Sequence, residues 1–345
     1  MIDFVGKRNW FYLASLLVLI PGAISLLIPP RLNPGIEFTS GTTFSVKFAT
    51  GVTTEALRAA LADFGHPEAR VQRTSDGAFL VRTDALEGVA EAPPIGAAPL
   101  GEADRLREDL IDRFCQRDAQ GQCLPGTMVT PAGEQDKFYD VSTVSGTVSS
   151  EIGRNAAIAV AAAAVAILLY ISWAFRSVPN PARYGLAAII ALGHDVLLVI
   201  GAFSLFGKLF GTEINTMFIT GLLTVIGFSV HDSIVVFDRI RETVRVHPRR
   251  PFPVSVNTSL MQTVGRSFNT SLTLVFAILA LLLITGGSIR PFLLVLLIGT
   301  VTGTYSSVFV ASMLLVTWHE GDVPRLFRRF FPKRGREEEA LAAGG

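Results

Sequence analysis

Six long apolar segments constrain the fold of this 345-residue chain more than any other feature. A helix needs about 20 apolar residues to cross a hydrocarbon core of about 30 Å, and the backbone of a lone helix is satisfied there. Charged residues make up 17% of the chain, against roughly 25% in a soluble domain. The sequence therefore predicts a multi-pass α-helical membrane protein. The predicted spans are Trp10–Ile28, Ala156–Phe175, Tyr184–Phe206, Met217–Phe237, Val264–Ile284 and Phe292–Val316.

The first apolar segment follows Lys7 and Arg8, so a secretory signal peptide is the alternative to a retained span. The segment is long for the apolar region of a signal peptide. It is followed by Pro29, Pro30 and Arg31 rather than by a small-residue cleavage site. We therefore expect a retained helix over residues 10–28.

Lysine and arginine are distributed unevenly between the two sides of the predicted spans. One side holds 15 of them, whereas the two short loops on the other side hold Lys208 and Arg290. Because basic loops stay in the cytoplasm, we expect residues 1–9 and 319–345 to be cytoplasmic and residues 29–154 to be outside. The net charge of the chain is +1, which excludes a strongly basic nucleic-acid-binding protein.

The region between the first two spans has the composition of a soluble domain, with 12 basic and 18 acidic residues. Alternating apolar residues predict strands, and apolar residues at helical spacing predict helices. The predicted order is βαββαβ, which is typical of an α+β ferredoxin-like domain. The elements are a strand at Thr42–Phe48, a helix from Thr53 or Thr54 to Phe64, strands at Ala69–Arg73 and Ala78–Thr83, a helix at Glu102–Phe114 and a strand at Lys137–Val144.

Cys115 and Cys123 flank a short loop of this domain and are the only cysteines of the chain. Two interpretations stay open: a disulfide in an oxidising compartment, or two unpaired thiols. The spacing is not Cys-x-x-Cys, which argues against a redox centre, and two cysteines do not by themselves supply a zinc site. We expect no metal.

Ionisable side chains inside predicted spans are the candidate functional residues, because each costs about 2.5–3.5 kcal/mol at the bilayer centre. The third span contains His194 and Asp195, the fourth contains His231 and Asp232, and the fifth begins close to Arg266. The chain folds back between the fourth and fifth spans, so we expect Asp232 and Arg266 at similar depth. An Asp–Arg pair that separates would let the acid take a proton, as a proton-coupled machine requires.

Structural roles are the alternatives for these residues. An Asp232–Arg266 pair would also fix helix packing, and His194 with Asp195 would also form a local structural pair. Asp238 lies near the inner rim before two arginines, which is typical of a solvated interfacial residue. We therefore take Asp232 and Arg266 as the predicted proton relay. The secondary candidates are His231, His194, Asp195 and Asp238.

The sequence contains no Gly-x-x-x-x-Gly-Lys-Ser/Thr loop and no Gly-x-Ser-x-Gly elbow. We therefore expect no enzymatic activity and no cofactor. The transmembrane potential, worth about 2.3 kcal/mol per charge per 100 mV, is the expected source of energy.

Motifs along nearly the whole chain resemble the SecF family of bacterial protein-export membrane proteins. The motifs are TVIGFSVHDSIVVFDRIRE, QTVGRSFNTSLT, ALGHDVLLVIGAFSLF, DFVGKR, GIEFTSGTTF and VSGTVSSEIGRNA. The resemblance implies half of a resistance-nodulation-division (RND) type bundle in the bacterial plasma membrane, with SecD as the other half. It further implies action at the SecYEG translocon and its small membrane subunits, where the proton-motive force promotes preprotein movement. In this family Asp232 would be the essential intramembrane acid and Arg266 its basic partner.

The chain departs from the family pattern at two places. His231 stands where the family usually has Asn, which bears on the pH dependence of Asp232. Ser40 stands where the motif Gly-Ile/Leu-Asp-Phe-x-Gly-Gly has Gly, and Glu37 stands at its Asp. We expect Ser40 to lie in a tight turn, where serine tolerates a positive φ less well than glycine.

Two other functions stay open at this point: half of an RND-type exporter of small molecules or lipids, and a non-transporting scaffold that assembles the translocon. An exporter of this class would need both halves in one chain or a homodimer. A scaffold would not need ionisable residues inside the bilayer. Six spans without a detectable internal repeat favour a six-span partner.

Overall fold

The computed structural model describes residues 3–49, 51–74, 77–86, 101–116, 126–131, 133, 135–178, 180–285 and 289–321. It divides into two compact units, Met1–Asn33 with Ile158–Gly345, and Pro34–Ala157. In chain order the elements are α1 (Arg8–Leu27), α2 (Ile36–Thr39), β1 (Gly41–Val46), α3 (Thr54–Asp63), β2 (Arg70–Arg73), β3 (Phe79–Thr83), α4 (Glu102–Phe114), β4 (Tyr139–Val144), α5 (Gly146–Ala174), α6 (Pro181–Phe210), α7 (Thr216–Val246), α8 (Phe252–Ile284), α9 (Arg290–Tyr305), a π-helical segment (Ser306–Ala311) and α10 (Ser312–His319).

Within the described part of the chain, six helices are long and apolar enough to cross a membrane, which confirms the predicted number of spans. They are α1, α5, α6, α7, α8 and the continuous run of α9, the π-helical segment and α10. Several extend past the predicted apolar segments, as α7 does beyond Phe237 and α8 does before Val264. Charged residues outside the hydrocarbon core are solvated there, so hydropathy falls while the helix continues.

Glycines bring the last span close to α7. A Cβ atom on Gly299 would lie 2.2 Å from Cγ2 of Val225, and one on Gly303 would lie 3.1 Å from Cβ of Ser229. This Gly-x-x-x-Gly spacing lets helices approach closely in lipid. The close approach brings the polar side chains of the two helices within hydrogen-bonding distance.

The second unit contains an antiparallel sheet of order β2-β3-β1-β4, with α3 and α4 packed against it. This order confirms the ferredoxin-like prediction. The side chain of Thr53 accepts a hydrogen bond from the amide of Ala56 at 3.2 Å, so Thr53 is the cap of α3. The core is formed by buried apolar residues that include Phe44, Val81, Leu57 and Leu110.

The turn before β1 has the strained geometry expected from the sequence. Ser40 has φ 62° and ψ 166°, and Gly41 has φ 131°. A Cβ atom on Gly41 would lie 2.6 Å from the carbonyl oxygen of Thr83. Glycine is therefore required at position 41, whereas Ser40 adopts a backbone conformation that is normally left to glycine.

Cys115 follows α4 and takes part in a disulfide. Cys123, the second cysteine of the chain, lies outside the described residues, as does the basic tail from residue 322 onward.

Candidate functional site

Asp195 is fully buried in the helix bundle and joins three helical elements. Its Oδ2 atom accepts hydrogen bonds from Ser229 of α7 at 2.6 Å and from Ser306 of the π-helical segment at 2.7 Å. Its Oδ1 atom lies 3.0 Å from Nδ1 of the neighbouring His194. Both oxygens of this buried carboxyl group are thus hydrogen-bonded, which offsets the cost of removing it from water.

The π-helical segment supplies a second layer of hydrogen bonds to α7. Ser307 donates to the carbonyl oxygen of Ser229 at 3.0 Å and accepts from Ser233 at 3.0 Å. π-Helical turns inside longer helices are frequent at functional sites. Here the turn lets two consecutive serines serve different helices, with Ser306 donating to Asp195 of α6 and Ser307 donating to the carbonyl oxygen of Ser229 in α7.

Asp232 lies close to this network and is 4% exposed. The hydroxyl of Thr304 in α9 interacts with its carboxyl group and also contacts the hydroxyl of Ser271 in α8. The Oδ2 atom of Asp232 has no hydrogen-bond partner in the described structure, and neither does Nε2 of the buried His194. A proton can therefore bind Oδ2 of Asp232 without breaking a hydrogen bond within the protein.

The predicted pairing of Asp232 with Arg266 is not found among the ion pairs of the described residues. Asp232 is buried, whereas Arg266 is exposed on the surface of α8. The buried face of α8 includes a row of small residues at four-residue spacing, and Arg266 lies off this row, away from the interior. Those residues are Ser255, Ser259, Thr263, Ser267 and Ser271.

The register between α7 and α8 gives the depth of Arg266 relative to Asp232. The hydroxyl of Ser259 donates to Thr243 at 2.8 Å, and Nε of Arg239 donates to Gln262 at 2.7 Å. Continued along two antiparallel helices, this register sets Arg266 level with Val236. Four residues separate that level from Asp232, which corresponds to about 6 Å along the axis.

Exposed polar residues follow one side of α7 and α8 through the middle of the spans. We call them the α7/α8 polar face, and they are Thr220, Thr224, Gly227 and His231 of α7 with Arg266, Asn269 and Thr273 of α8. The threonines hydrogen-bond to the carbonyl four residues earlier in their own helix. His231, Arg266 and Asn269 are the members left to find partners outside the described chain, because polar groups facing lipid are costly.

Asp238 lies apart from the buried network, near the end of α7. Its side chain is 56% exposed and pairs with Arg241 at 2.5 Å. This arrangement agrees with the interpretation of a solvated residue. Elsewhere in the described residues, no group of three His, Cys, Asp or Glu side chains could hold a metal ion.

The sequence did not indicate which hydroxyl groups contact the two carboxyl groups, namely those of Ser229, Ser306 and Thr304. The available signal was the run Thr302–Ser307, which places small polar residues and glycine in an otherwise apolar span. Serine and threonine in such helices also satisfy themselves on their own backbone. The run alone therefore does not identify a site.

Comparisons with known proteins identify the family. The family model "Protein export membrane protein SecD/SecF, C-terminal" matches residues 126–321. A protein translocase subunit SecF from Thermobaculum terrenum is 45% identical over 333 residues, covering 96% of this chain and 99% of the relative. One from Anaerolinea thermophila is 36% identical, covering 95% of this chain and 98% of the relative.

A solved structure matches as well. It is the crystal structure of SecDF, a translocon-associated membrane protein from Thermus thermophilus, with a TM-score of 0.70 and 33% identity. The match covers 92% of this chain and 39% of the SecDF chain, so this chain corresponds to less than half of that protein. Six apolar spans, the ferredoxin-like domain and these near-full-length matches together place the chain in the SecF family of protein-export membrane proteins.

Proposed function

We propose that this chain pairs with SecD and uses the proton-motive force to promote preprotein movement through the SecYEG translocon in the bacterial plasma membrane. The support from relatives is that the full-length matches are named translocase subunits and that SecDF proteins carry the matching region in a longer chain. Fusion of the two regions in those relatives supports an association with SecD.

The observation that carries the proposal is the buried carboxyl group of Asp232, with one oxygen free of protein hydrogen bonds. A carboxyl group inside a membrane bundle lowers the stability of the folded protein, and such groups mark functional sites. Asp232 contacts α9 through Thr304, and Asp195 joins α6, α7 and the π-helical segment. Protonation of Asp232 would therefore change the contacts among several helices at once.

The exposed position of Arg266 supports the proposal that a partner protein packs against this chain. The exposed guanidinium lies at nearly the depth of Asp232 and makes no ion pair within the described part of this chain. We propose that a six-span SecD packs on the α7/α8 polar face and supplies acceptors to Arg266, Asn269 and His231. The proton relay would then involve both proteins, with Asp232 inside the bundle of this chain and Arg266 at the interface with SecD.

The decisive experiment is translocation into membrane vesicles with and without a proton-motive force. Asp232→Asn keeps the shape of the side chain but cannot ionise, so we expect loss of the stimulated rate, by about 10²-fold or more if proton transfer is obligatory. Asp232→Glu should keep part of the stimulation. Asp238→Asn is the matched control, because it removes an acid from the same helix outside the buried network.

If Asp232→Asn translocates as fast as the wild type at equal protein level, Asp232 is structural and the relay is wrong. That result would favour a translocon scaffold. If the rate of preprotein translocation does not depend on this chain, and the chain exports small molecules or lipids instead, the exporter function is favoured.

A further inference from the structure

A cavity of about 360 Å³ opens where the first turns of α6 and α8 meet the end of α10. This is the end of the bundle at which the α1 start and the α10 end meet, joined by an ion pair between Arg8 and Glu320. The cavity is lined by Arg183, Arg250 and His319, and no Asp or Glu is found among its described lining residues. Three basic side chains thus converge on one hollow without an acid.

The arginines of the cavity are exposed and, like Arg245 and Arg249, have no ion pair within the described residues. Arg239 pairs with Glu242 at 2.6 Å, and Arg241 pairs with Asp238 at 2.5 Å. Arg183 and Arg250 make no ion pair and no side-chain hydrogen bond with the part of the chain that the structure describes. Two guanidinium groups in one cavity repel each other, and a bound anion would offset that repulsion.

Tyr184 adds a hydrogen-bond donor. Its side chain is 3% exposed and lines the cavity, and its hydroxyl makes no hydrogen bond to any described residue. The hydroxyl is not among the buried polar atoms left unsatisfied within the described residues, so water or a ligand in the cavity can reach it. The ring is held by Phe175 at 5.5 Å and by Phe237 at 5.4 Å, which gives the hydroxyl a defined position from which to donate to a ligand.

The N-termini of α6 and α8 also favour a bound anion. The first turns of α6 and α8 carry no acidic residue, and neither helix has a side-chain cap. Each first turn contains a proline without an N–H group, Pro181 or Pro253, so the helix dipoles and the remaining N–H groups of these turns attract negative charge. The wall of the cavity is partly apolar, through Phe252, which stacks on His319 at 4.4 Å, and through Leu315.

We propose that this cavity binds the phosphate of an anionic phospholipid headgroup. The forks of Arg183 and Arg250 suit a phosphate, to which arginine donates two parallel hydrogen bonds, and Tyr184 supplies a further donor. Basic cavities between membrane helices at the headgroup level bind anionic lipids in this way. The apolar wall fits the glycerol and first acyl carbons of a lipid, for which inorganic phosphate has no counterpart.

The test uses the purified full-length chain in detergent, with lipid binding measured by native mass spectrometry and by thermal stabilisation. We expect phosphatidylglycerol and cardiolipin to bind at least tenfold more tightly than phosphatidylcholine. Arg183→Gln and Arg250→Gln should each weaken phosphatidylglycerol binding about tenfold, since a charge-assisted hydrogen bond is lost. Arg249→Gln is the control, because it removes the same charge from the same loop but does not line this cavity.

Three results would overturn the proposal. One is equal binding of phosphatidylcholine and phosphatidylglycerol. Another is binding of phosphatidylglycerol that Arg249→Gln lowers as much as Arg183→Gln and Arg250→Gln do. The third is thermal stabilisation of the chain by inorganic phosphate that equals the stabilisation by lipid at the same concentration. That result would indicate that the cavity binds a soluble anion. Unfolding temperatures without lipid establish that the variants are folded.

Discussion

At the residue scale, the two buried carboxyl groups differ in how completely the protein surrounds them. Asp195 has hydrogen bonds to both oxygens and joins three helical elements. Asp232 interacts with the hydroxyl of Thr304, and its Oδ2 atom has no hydrogen-bond partner among the described residues. The first arrangement suits a group that holds helices together, whereas the second suits a group that exchanges a proton.

The turn at Ser40 offers a residue-scale prediction. A residue held in this part of φ/ψ space costs about 1–3 kcal/mol, of which glycine would recover part after its own entropy cost of about 0.5–1 kcal/mol. We expect Ser40→Gly to stabilise the ferredoxin-like domain by about 1 kcal/mol and to raise its unfolding temperature by about 4 °C. The measurement is thermal unfolding of the expressed segment 35–149, which we expect to unfold cooperatively.

Ser40→Ala is the matched control, because alanine removes the hydroxyl but keeps the backbone penalty. An equal gain from both variants would mean that the hydroxyl, and not the backbone, destabilises the turn. A segment with random-coil circular dichroism would contradict the prediction that the domain folds by itself.

At the scale of the element, the contact between α7 and the last span depends on glycine. We expect Gly299→Ala to destabilise the purified protein by about 1–3 kcal/mol, because the added methyl would overlap Val225 in a packed interface. Gly193→Ala is the control, since a Cβ atom there has no neighbour within 4 Å. Thermal unfolding in detergent checks both.

A second substitution tests the cause. Val225→Ala in the Gly299→Ala background should recover part of the lost stability, because it removes the overlapping methyl groups. No recovery would show that Gly299 is needed for a reason other than close approach.

Elements were more predictable from the sequence than the contacts between them. Helix α4 begins and ends at the predicted residues, because its apolar side chains repeat at helical spacing beside a solvated face. Which face of α8 is turned toward the bundle was not predictable in this way, because polar residues occur on both faces of the helix. Packing of Ser259, Thr263 and Ser267 decides which face is buried, and that decision leaves Arg266 outside.

At the scale of the whole molecule, the α7/α8 polar face predicts where SecD binds. We expect Asn269→Trp to reduce co-purification of SecD by about tenfold or more, because a large ring in a packed interface prevents close approach. Leu169→Trp is the control, since Leu169 is exposed on α5, away from this face. Both variants should insert at normal levels, and equal SecD recovery would rule out this face.

Orientation in the membrane is the second whole-molecule prediction. The 15 basic residues on one side against Lys208 and Arg290 on the other predict that both ends of the chain lie in the cytoplasm. A cysteine introduced at Ala342 should resist membrane-impermeant thiol reagents in intact cells and react after lysis. A chain lacking Cys115 and Cys123 removes background labelling, and ready reaction in intact cells would reverse the assigned topology.

The π-helical segment makes the last span sensitive to residue number as well as to residue type. A π-helical turn holds about one residue more than an α-helical turn, so loss of one residue between Ser306 and Ala311 would return the segment to α-helical geometry and leave α10 nearly in its present phase with α9. The change would fall on the turn itself, where Ser306 donates to Asp195 and Ser307 donates to the carbonyl oxygen of Ser229. Single-codon deletions should therefore be far rarer in this segment than conservative exchanges at Val308 or Val310, in natural relatives and in selected mutant libraries alike.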